Sequence, residues 1–373
     1  NIAIGQNSLK DNTTGKSNIA QGYYAMCNNC TGCYNIALGH QALFEVECTN
    51  NNIGIGFYAG LDITGSDNVV IGVQAMQESS SGSCNVAIGT CAGHNTTATG
   101  SVHIGHQAGY TNTTGVNVGV GLQALYANTD GTANVAVGVQ ALLNNCTGYQ
   151  NTAIGHAALQ CNTTGLRNTG VGCGALALNT TGDCNVALGC QAGYSNCTGN
   201  SQVAIGSKAL YSSTVGENIA VGSCAAQANT TGACNTAVGH IALCSNTTGS
   251  GNVAVGRHAL CTNTTGCENV AVGNCSLRNN LCGCCGHNYN VAVGNCALYS
   301  NTAQSNTAVG YSSLKSNTTG ATNTAFGENT LNQNTTGSCN VAIGRQAMFE
   351  NETGTCNIAI GNNALICHCS GNG

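Results

Sequence analysis

The chain is 373 residues long with a net charge of −5; only 6% of it is charged and 4% aromatic, and it holds 53 Gly, 26 Cys, no Pro and no Trp. An ordinary compact domain is about one-quarter charged and fills its core with large side chains, so any core here is thin and built from Ala, Val, Ile, Leu and Cys. The charge reads as spread along the chain with no basic run, which excludes a phosphate-binding face and nucleic acid as a partner. No apolar run nears the roughly 18 residues that cross a bilayer.

The first element opens at once, with Asn1-Ile-Ala-Ile-Gly5, and a near copy, Asn-Ile-Ala-Gln-Gly, follows at residues 18–22. Its closing glycine then recurs at Gly39, Gly56, Gly72, Gly89, Gly105, Gly121, Gly138, Gly155, Gly172, Gly189, Gly206, Gly222, Gly239, Gly256, Gly273, Gly294, Gly310, Gly327, Gly344 and Gly361, which makes 22 copies with Gly5 and Gly22. Successive copies lie 16 or 17 residues apart except around Gly273–Gly294, where residues 278–289 form an irregular coil with an insertion. One repeat type throughout means one domain, 1–373.

A helical reading of the period fails, because each copy carries β-branched residues in its first half and the helix-disfavouring Asn-Thr-Thr-Gly in its second. The period suits one coil of a parallel β-solenoid, or β-roll: a strand at Asn-Val-Ala-Val-Gly, a short second strand around Ala-Leu, and a turn at Asn-Thr-Thr-Gly. Coils stacked about 4.8 Å apart predict a rod on the order of 100 Å long. In the strand, positions 2 and 4 face one way and positions 1, 3 and 5 the other. Val186 and Leu188 thus oppose Asn185, Ala187 and Gly189; one face lines the core and the other packs against more of the coil or a sister chain.

The phrases Asn-Val-Ala-Ile-Gly at 85–89 and 340–344, with Asn-Ile-Ala-Ile-Gly at 1–5 and 357–361, resemble the head repeats of YadA-type trimeric autotransporter adhesins. They are also similar to repeat arrays in phage and giant-virus fibre proteins. The resemblance implies a parallel β-roll, left-handed in the adhesins and often trimeric, serving as a surface stalk or adhesive head. The chain departs from the adhesin pattern in its longer coil, its cysteines and its repeated Asn-x-Thr.

The 26 cysteines argue for an oxidising compartment. Several occupy equivalent places one coil apart, where stacking brings Cα atoms within disulfide range: Cys173 with Cys190, Cys244 with Cys261, Cys339 with Cys356, and Cys275 with Cys296 across the insertion. Rung-to-rung disulfides are expected at these pairs, and more loosely at Cys30 with Cys48 and Cys146 with Cys161. Cys282, Cys284, Cys285 and His287 compete as zinc ligands, but their spacing is irregular, and disulfides closing the bulged coil are the expectation. His40, His106, His156 and His240 share one position in non-adjacent coils and make no ligand ladder. No metal and no cofactor is expected.

Asn-Thr-Thr-Gly suffices as a turn. It also writes the N-glycan acceptor pattern at Asn12, Asn29, Asn95, Asn112, Asn145, Asn162, Asn179, Asn196, Asn229, Asn246, Asn263, Asn274, Asn317, Asn334 and Asn351. Thr in the third place even where Cys takes the second (Asn29, Asn145, Asn196) favours a sleeve of covalent glycans along one edge.

No catalytic constellation emerges: Glu45/Glu47 and Glu350/Glu352 lie in turns without a partnering base, and no phosphate loop or nucleophile elbow is present. The chain begins at position 1 of a repeat and ends at position 17 of another, without capping coils. The expectation is a non-enzymatic, secreted, N-glycosylated filament subunit that polymerises head-to-tail with itself, at the outside of a cell or virion. The alternative is an adhesive or receptor-binding fibre, which calls for an aromatic-rich patch that the chain is read as lacking. Ice binding is a minor alternative, set back by consecutive Thr13 and Thr14 pointing to opposite sides.

Overall fold

The computed structural model describes residues 1–280 and 289–367, and its chain divides into two compact units, residues 1–185 and 186–373. The first unit carries eleven three-residue strands, from β1 (Ile2–Ile4) to β11 (Thr169–Val171); the second carries eleven more, from β12 (Val186–Leu188) to β22 (Ile358–Ile360). Within each unit every strand pairs in parallel with the next, without slippage: Ile2 opposite Ile19, Ala3 opposite Ala20, and, in the second unit, Val253 opposite Val270. Each unit is thus a β-solenoid of the repeat of about 17 residues, roughly 50 Å of stacked rungs.

Alternation along the strand decides which residues go inside, and it sends the small ones in. The central alanine is fully buried, as at Ala20, Ala136, Ala254 and Ala342, whereas the flanking Val and Ile face out, Ile154 keeping 41% of its surface and Ile219 42%. The inside is so narrow because each coil fills it from the opposite wall with an Ala-Leu pair, such as Ala141-Leu142 or Ala259-Leu260, also fully buried. A buried leucine contributes about 2 kcal/mol, so that column is the main apolar cement.

The Ala-Leu wall differs from expectation: it is not a second strand but a run of turns. The residues at positions 7 and 9 take left-handed backbone, for example Gln140 (φ 57°) and Leu142 (φ 51°), and this pair recurs in nearly every coil. Left-handed backbone costs a non-glycine residue on the order of 1 kcal/mol. The ladder holds it: the Gln140 N–H donates back to Leu122 at 2.8 Å and the Leu142 N–H donates forward to Ala158 at 3.0 Å. At position 5 the demand is stricter. Gly155 has φ 130°, and a Cβ there would lie 2.7 Å from the carbonyl of Gly172 in the next coil.

The remaining wall is polar. The opening Asn of a coil accepts the backbone N–H of the next one, as Asn134 does from Asn151 at 2.9 Å, and donates to its own turn, as Asn134 does to Gly148 at 2.8 Å. The Asn of Asn-Thr-Thr-Gly forms a second internal ladder: Asn145 donates to Asn128 at 2.7 Å and Asn162 donates to Asn145 at 2.7 Å. These amides supply the pairing that a strand would give, so most buried polar groups along this wall find a partner.

Candidate functional site

Residues 18–84 of the first unit depart from the repeat at several columns at once. There the buried Asn ladder is interrupted: Val46, Ile63 and Ser79 stand at its position, and Thr96 in the coil that follows, all fully buried. Gly60 replaces the core leucine beside Ile63, whose side chain fills that space. With the amide turn gone, the segment Glu45–Thr49 opens a groove of about 460 Å³, lined by Glu45, Glu47, Cys48, Thr49, Asp62 and Thr64.

Aromatic residues stack in the same coils. The rings of Tyr23, His40 and Phe57, at one position in three successive coils, stack face to face with centroids 5.1 Å apart and planes inclined by 26° and 25°. Tyr24 sits 4.4 Å from Tyr23, Tyr58 4.0 Å from Phe57, and Phe44 closes the cluster 6.1 Å from Tyr24. Tyr23 and Phe57 each leave 44% of their surface open. Phe44 adjoins Glu45 in the chain, and from there carboxylates recur one per coil at Glu45, Asp62 and Glu78. They act on one another: burial, then Glu45 and Glu78, push the Asp62 carboxyl above its ordinary value.

The charge is therefore not spread along the chain as the composition first suggests. Residues 18–84 hold five acids and no Lys or Arg, and all other residues together hold eight acids and eight bases. The net charge of −5 thus equals that of residues 18–84, four of whose five acids, Glu45, Glu47, Asp62 and Glu78, lie in the groove or its column. Among the described residues no group of three or more His, Cys, Asp or Glu is arranged to hold a metal ion.

The cysteine pairs do not become disulfides. Cys173 (first unit), Cys190, Cys244, Cys261, Cys275, Cys296, Cys339 and Cys356 are all free thiols, as are Cys30, Cys48 and Cys146. Register itself is the reason: equivalent side chains leave parallel strands in parallel directions, so their Cβ atoms keep the rung spacing of about 4.8 Å, while a disulfide draws Cβ atoms to about 3.8 Å. In the second unit, thiols nonetheless sense one another. Burial, reinforced by the thiols of Cys261 and Cys224, pushes Cys244 up to about 11. Burial likewise raises Cys261 and Cys296, each with Cys275 as a lesser contributor. Cys282, Cys284, Cys285 and His287 lie outside the described residues.

The glycan sleeve is corrected by the second ladder. Twelve of the fifteen acceptor asparagines, namely Asn29, Asn112, Asn145, Asn162, Asn179, Asn196, Asn229, Asn246, Asn263, Asn317, Asn334 and Asn351, are fully buried. The Nδ2 that would carry the sugar donates inside the coil instead, as Asn229 does to Gly232 at 2.8 Å and Asn334 does to Asn317 at 2.7 Å. Asn12 and Asn95 are half-buried and Asn274 alone is exposed. The Thr after Asn extends the ladder, as Thr163 donates to the Thr180 carbonyl at 3.0 Å; nothing in the structure explains the second, exposed Thr. Of the four histidines at the shared position, His40 joins the aromatic stack, His156 lies 3.9 Å from the Cys173 sulfur, and His240 lies 6.0 Å from the His258 ring.

No protein-family model matches the chain, and no curated protein matches it either. The aromatic–acidic surface is what the linear reading missed. Its signal was available: aligning coils on their corner glycines puts Tyr23, His40 and Phe57 in one column and Glu45, Asp62 and Glu78 in another.

Proposed function

We propose that the chain is a non-enzymatic fibre protein that assembles with copies of itself into an extracellular filament at a cell or virion surface. One observation carries this reading: the outward strand face. Positions 2 and 4 form two straight columns that hold no charged residue in either unit, only Val, Ile and Leu with a few Thr, one Gln and one Phe. Ile154 is 41% exposed, Leu188 37%, Phe326 42% and Ile343 41%. A flat apolar strip of this kind, on the order of 500 Å² per unit, is at the upper end of what solitary soluble proteins leave uncovered. A second copy supplies the matching strip, and the parallel ladder also lets one coil continue another at a free rung. Among the described residues no helix is long and apolar enough to cross a membrane.

The resemblance to adhesin heads and viral fibres is in keeping with a surface fibre. The test is electron microscopy with sedimentation velocity across a hundredfold concentration range. Filaments or lateral assemblies that grow with concentration are expected; single chains at every concentration overturn the reading. The adhesive alternative is favoured by a different observation, the exposed aromatic stack of Tyr23, His40 and Phe57. A chain that stays single yet binds cells through that stack establishes it instead.

A further inference from the structure

In the second unit Cys224, Cys244, Cys261, Cys275 and Cys296 fall one to a coil in successive coils. All are half-buried, whereas Cys339 and Cys356 are exposed. Cys244 and Cys261 each follow a fully buried core leucine, Leu243 and Leu260. The two coils meet there, the Ser245 N–H donating to the Cys261 carbonyl at 3.1 Å. The thiols act on one another: Cys261 and Cys224 on Cys244, and Cys275 on both Cys261 and Cys296.

Two further groups belong to this cluster. The Arg278 guanidinium acts on Cys261 and Cys296, and it is held in place by donating to the Tyr299 hydroxyl at 2.7 Å. Arg278 also acts on His258, in the coil of Cys261. The Nδ1 atom of that ring is buried without a hydrogen-bond partner, a cost that most buried polar atoms avoid.

The spacing that forbids a disulfide here suits a different bond. Equivalent sulfurs on parallel side chains keep the rung spacing of about 4.8 Å. A thiolate bonds a soft metal ion at about 2.3 Å, so two thiolates on opposite sides of one ion stand about 4.6 Å apart. Among the described residues no three ligating groups converge. That arrangement does not suit zinc, which takes four ligands, and leaves ions that accept two in a line. Thiolates select monovalent copper among these, and imidazole nitrogen suits copper as well. Binding replaces two S–H protons by one monovalent cation, so two protons leave and the bis-thiolate carries a single negative charge. Arg278 stands where it can balance that charge.

We propose that Cys244 and Cys261 form a two-coordinate site for a soft monovalent metal ion of the copper(I) class, with Arg278 balancing the charge of the complex. The site lies off the outward strand face, so it holds whether or not the chain assembles with itself.

The experiment loads the intact, reduced chain anaerobically with copper(I) at one ion per chain, in the presence of a competing copper(I) chelator. Long alkylation, enough to label both thiols in the metal-free chain, is followed by peptide mass mapping. Cys244 and Cys261 should become protected together, ahead of Cys339 and Cys356, with two protons released per ion at pH 7.5. Silver(I) should do the same and zinc(II) should not. Cys244→Ser should return Cys261 to full labelling and weaken binding roughly a hundredfold, Arg278→Gln should weaken it about tenfold, and Cys339→Ser should change neither. Protection spread over the exposed thiols of the parent chain overturns the proposal without recourse to any variant. So does protection of Cys261 that survives Cys244→Ser, equal protection by zinc(II), or uptake without proton release.

Discussion

His103 sits where almost every other coil has the strand's central Ala or Gly, in β7 (Val102–Ile104), and it is buried with neither ring nitrogen hydrogen-bonded. Room for the imidazole comes from Gly93 and Gly109, which replace the core leucine on either side; a Cβ at Gly109 would collide with the ring. Burial holds its pKa down to about 4, from 6.5 in an open chain. The sign of the effect follows. Above pH 6.5 the imidazole is neutral in both states and contributes no pH dependence. As pH falls below 6.5 the unfolded chain takes up a proton that the folded coil refuses, so stability is lost: about 2 kcal/mol by pH 5 and about 3 kcal/mol below pH 4. A solenoid opens locally rather than all at once, so the assay is hydrogen exchange of peptides from residues 86–125 at pH 7 and pH 5, corrected for intrinsic rates. Protection there should fall by one to two orders of magnitude relative to coils further along the same unit. His103→Ala combined with Gly93→Leu and Gly109→Leu restores the common core and should abolish the difference. Undiminished protection at pH 5, or a repacked variant that keeps the full acid sensitivity, would refute the burial argument.

Three further outcomes follow from the same structure. Asn145→Ala removes the amide that donates to Asn128 and accepts from Asn162, stripping the buried Asn128 oxygen and the Asn162 N–H of those partners; a loss of about 2–3 kcal/mol is expected in urea unfolding, and enzymatic glycan removal from the parent should not change the mass of peptides bearing the twelve buried acceptors. Alkylation under non-reducing conditions should label exposed Cys173, Cys190, Cys339 and Cys356 quickly and Cys244 slowly at pH 7.5, since burial keeps that thiol protonated; recovery of Cys244–Cys261 as a linked peptide sinks this. Ile154→Lys with Ile343→Lys puts charge on the outward face of each unit and should shift any self-assembly to at least tenfold higher concentration by sedimentation, without changing the circular dichroism.

The period, the parallel register and the corner glycine were legible because one phrase is written 22 times, and a stack converts repetition along the chain into columns. What the phrase does not reveal is the cross-section. Alternation puts Val186 and Ala187 on opposite faces but does not say which is inside. That is decided by Leu arriving from the far wall, and Leu arrives there through left-handed backbone at positions 7 and 9 that its own preferences argue against. The second strand was misread for this reason. The glycan acceptors were misread because an amide that bonds the next coil and an amide that accepts sugar are written with the same letters. Only burial separates them.

The candidate site was hidden by a different cause. The members of each column lie 16 or 17 residues apart, so the columns are seen only when the coils are aligned on their corner glycines. In a scaffold where every coil must present the same internal walls, variation is permitted only at columns that face solvent, or where one internal change is answered by another, as Gly60 is by Ile63. A run of coils that changes both kinds of position at once, losing the amide turn while gathering rings and uncompensated acids, has departed from what stacking alone requires. In the first unit the two kinds of change coincide over residues 18–84 and the turn that follows. The acids repel and the broken ladder forfeits bonds that other coils make, while the stacked rings and the Ile63 side chain restore packing at other columns of the same coils.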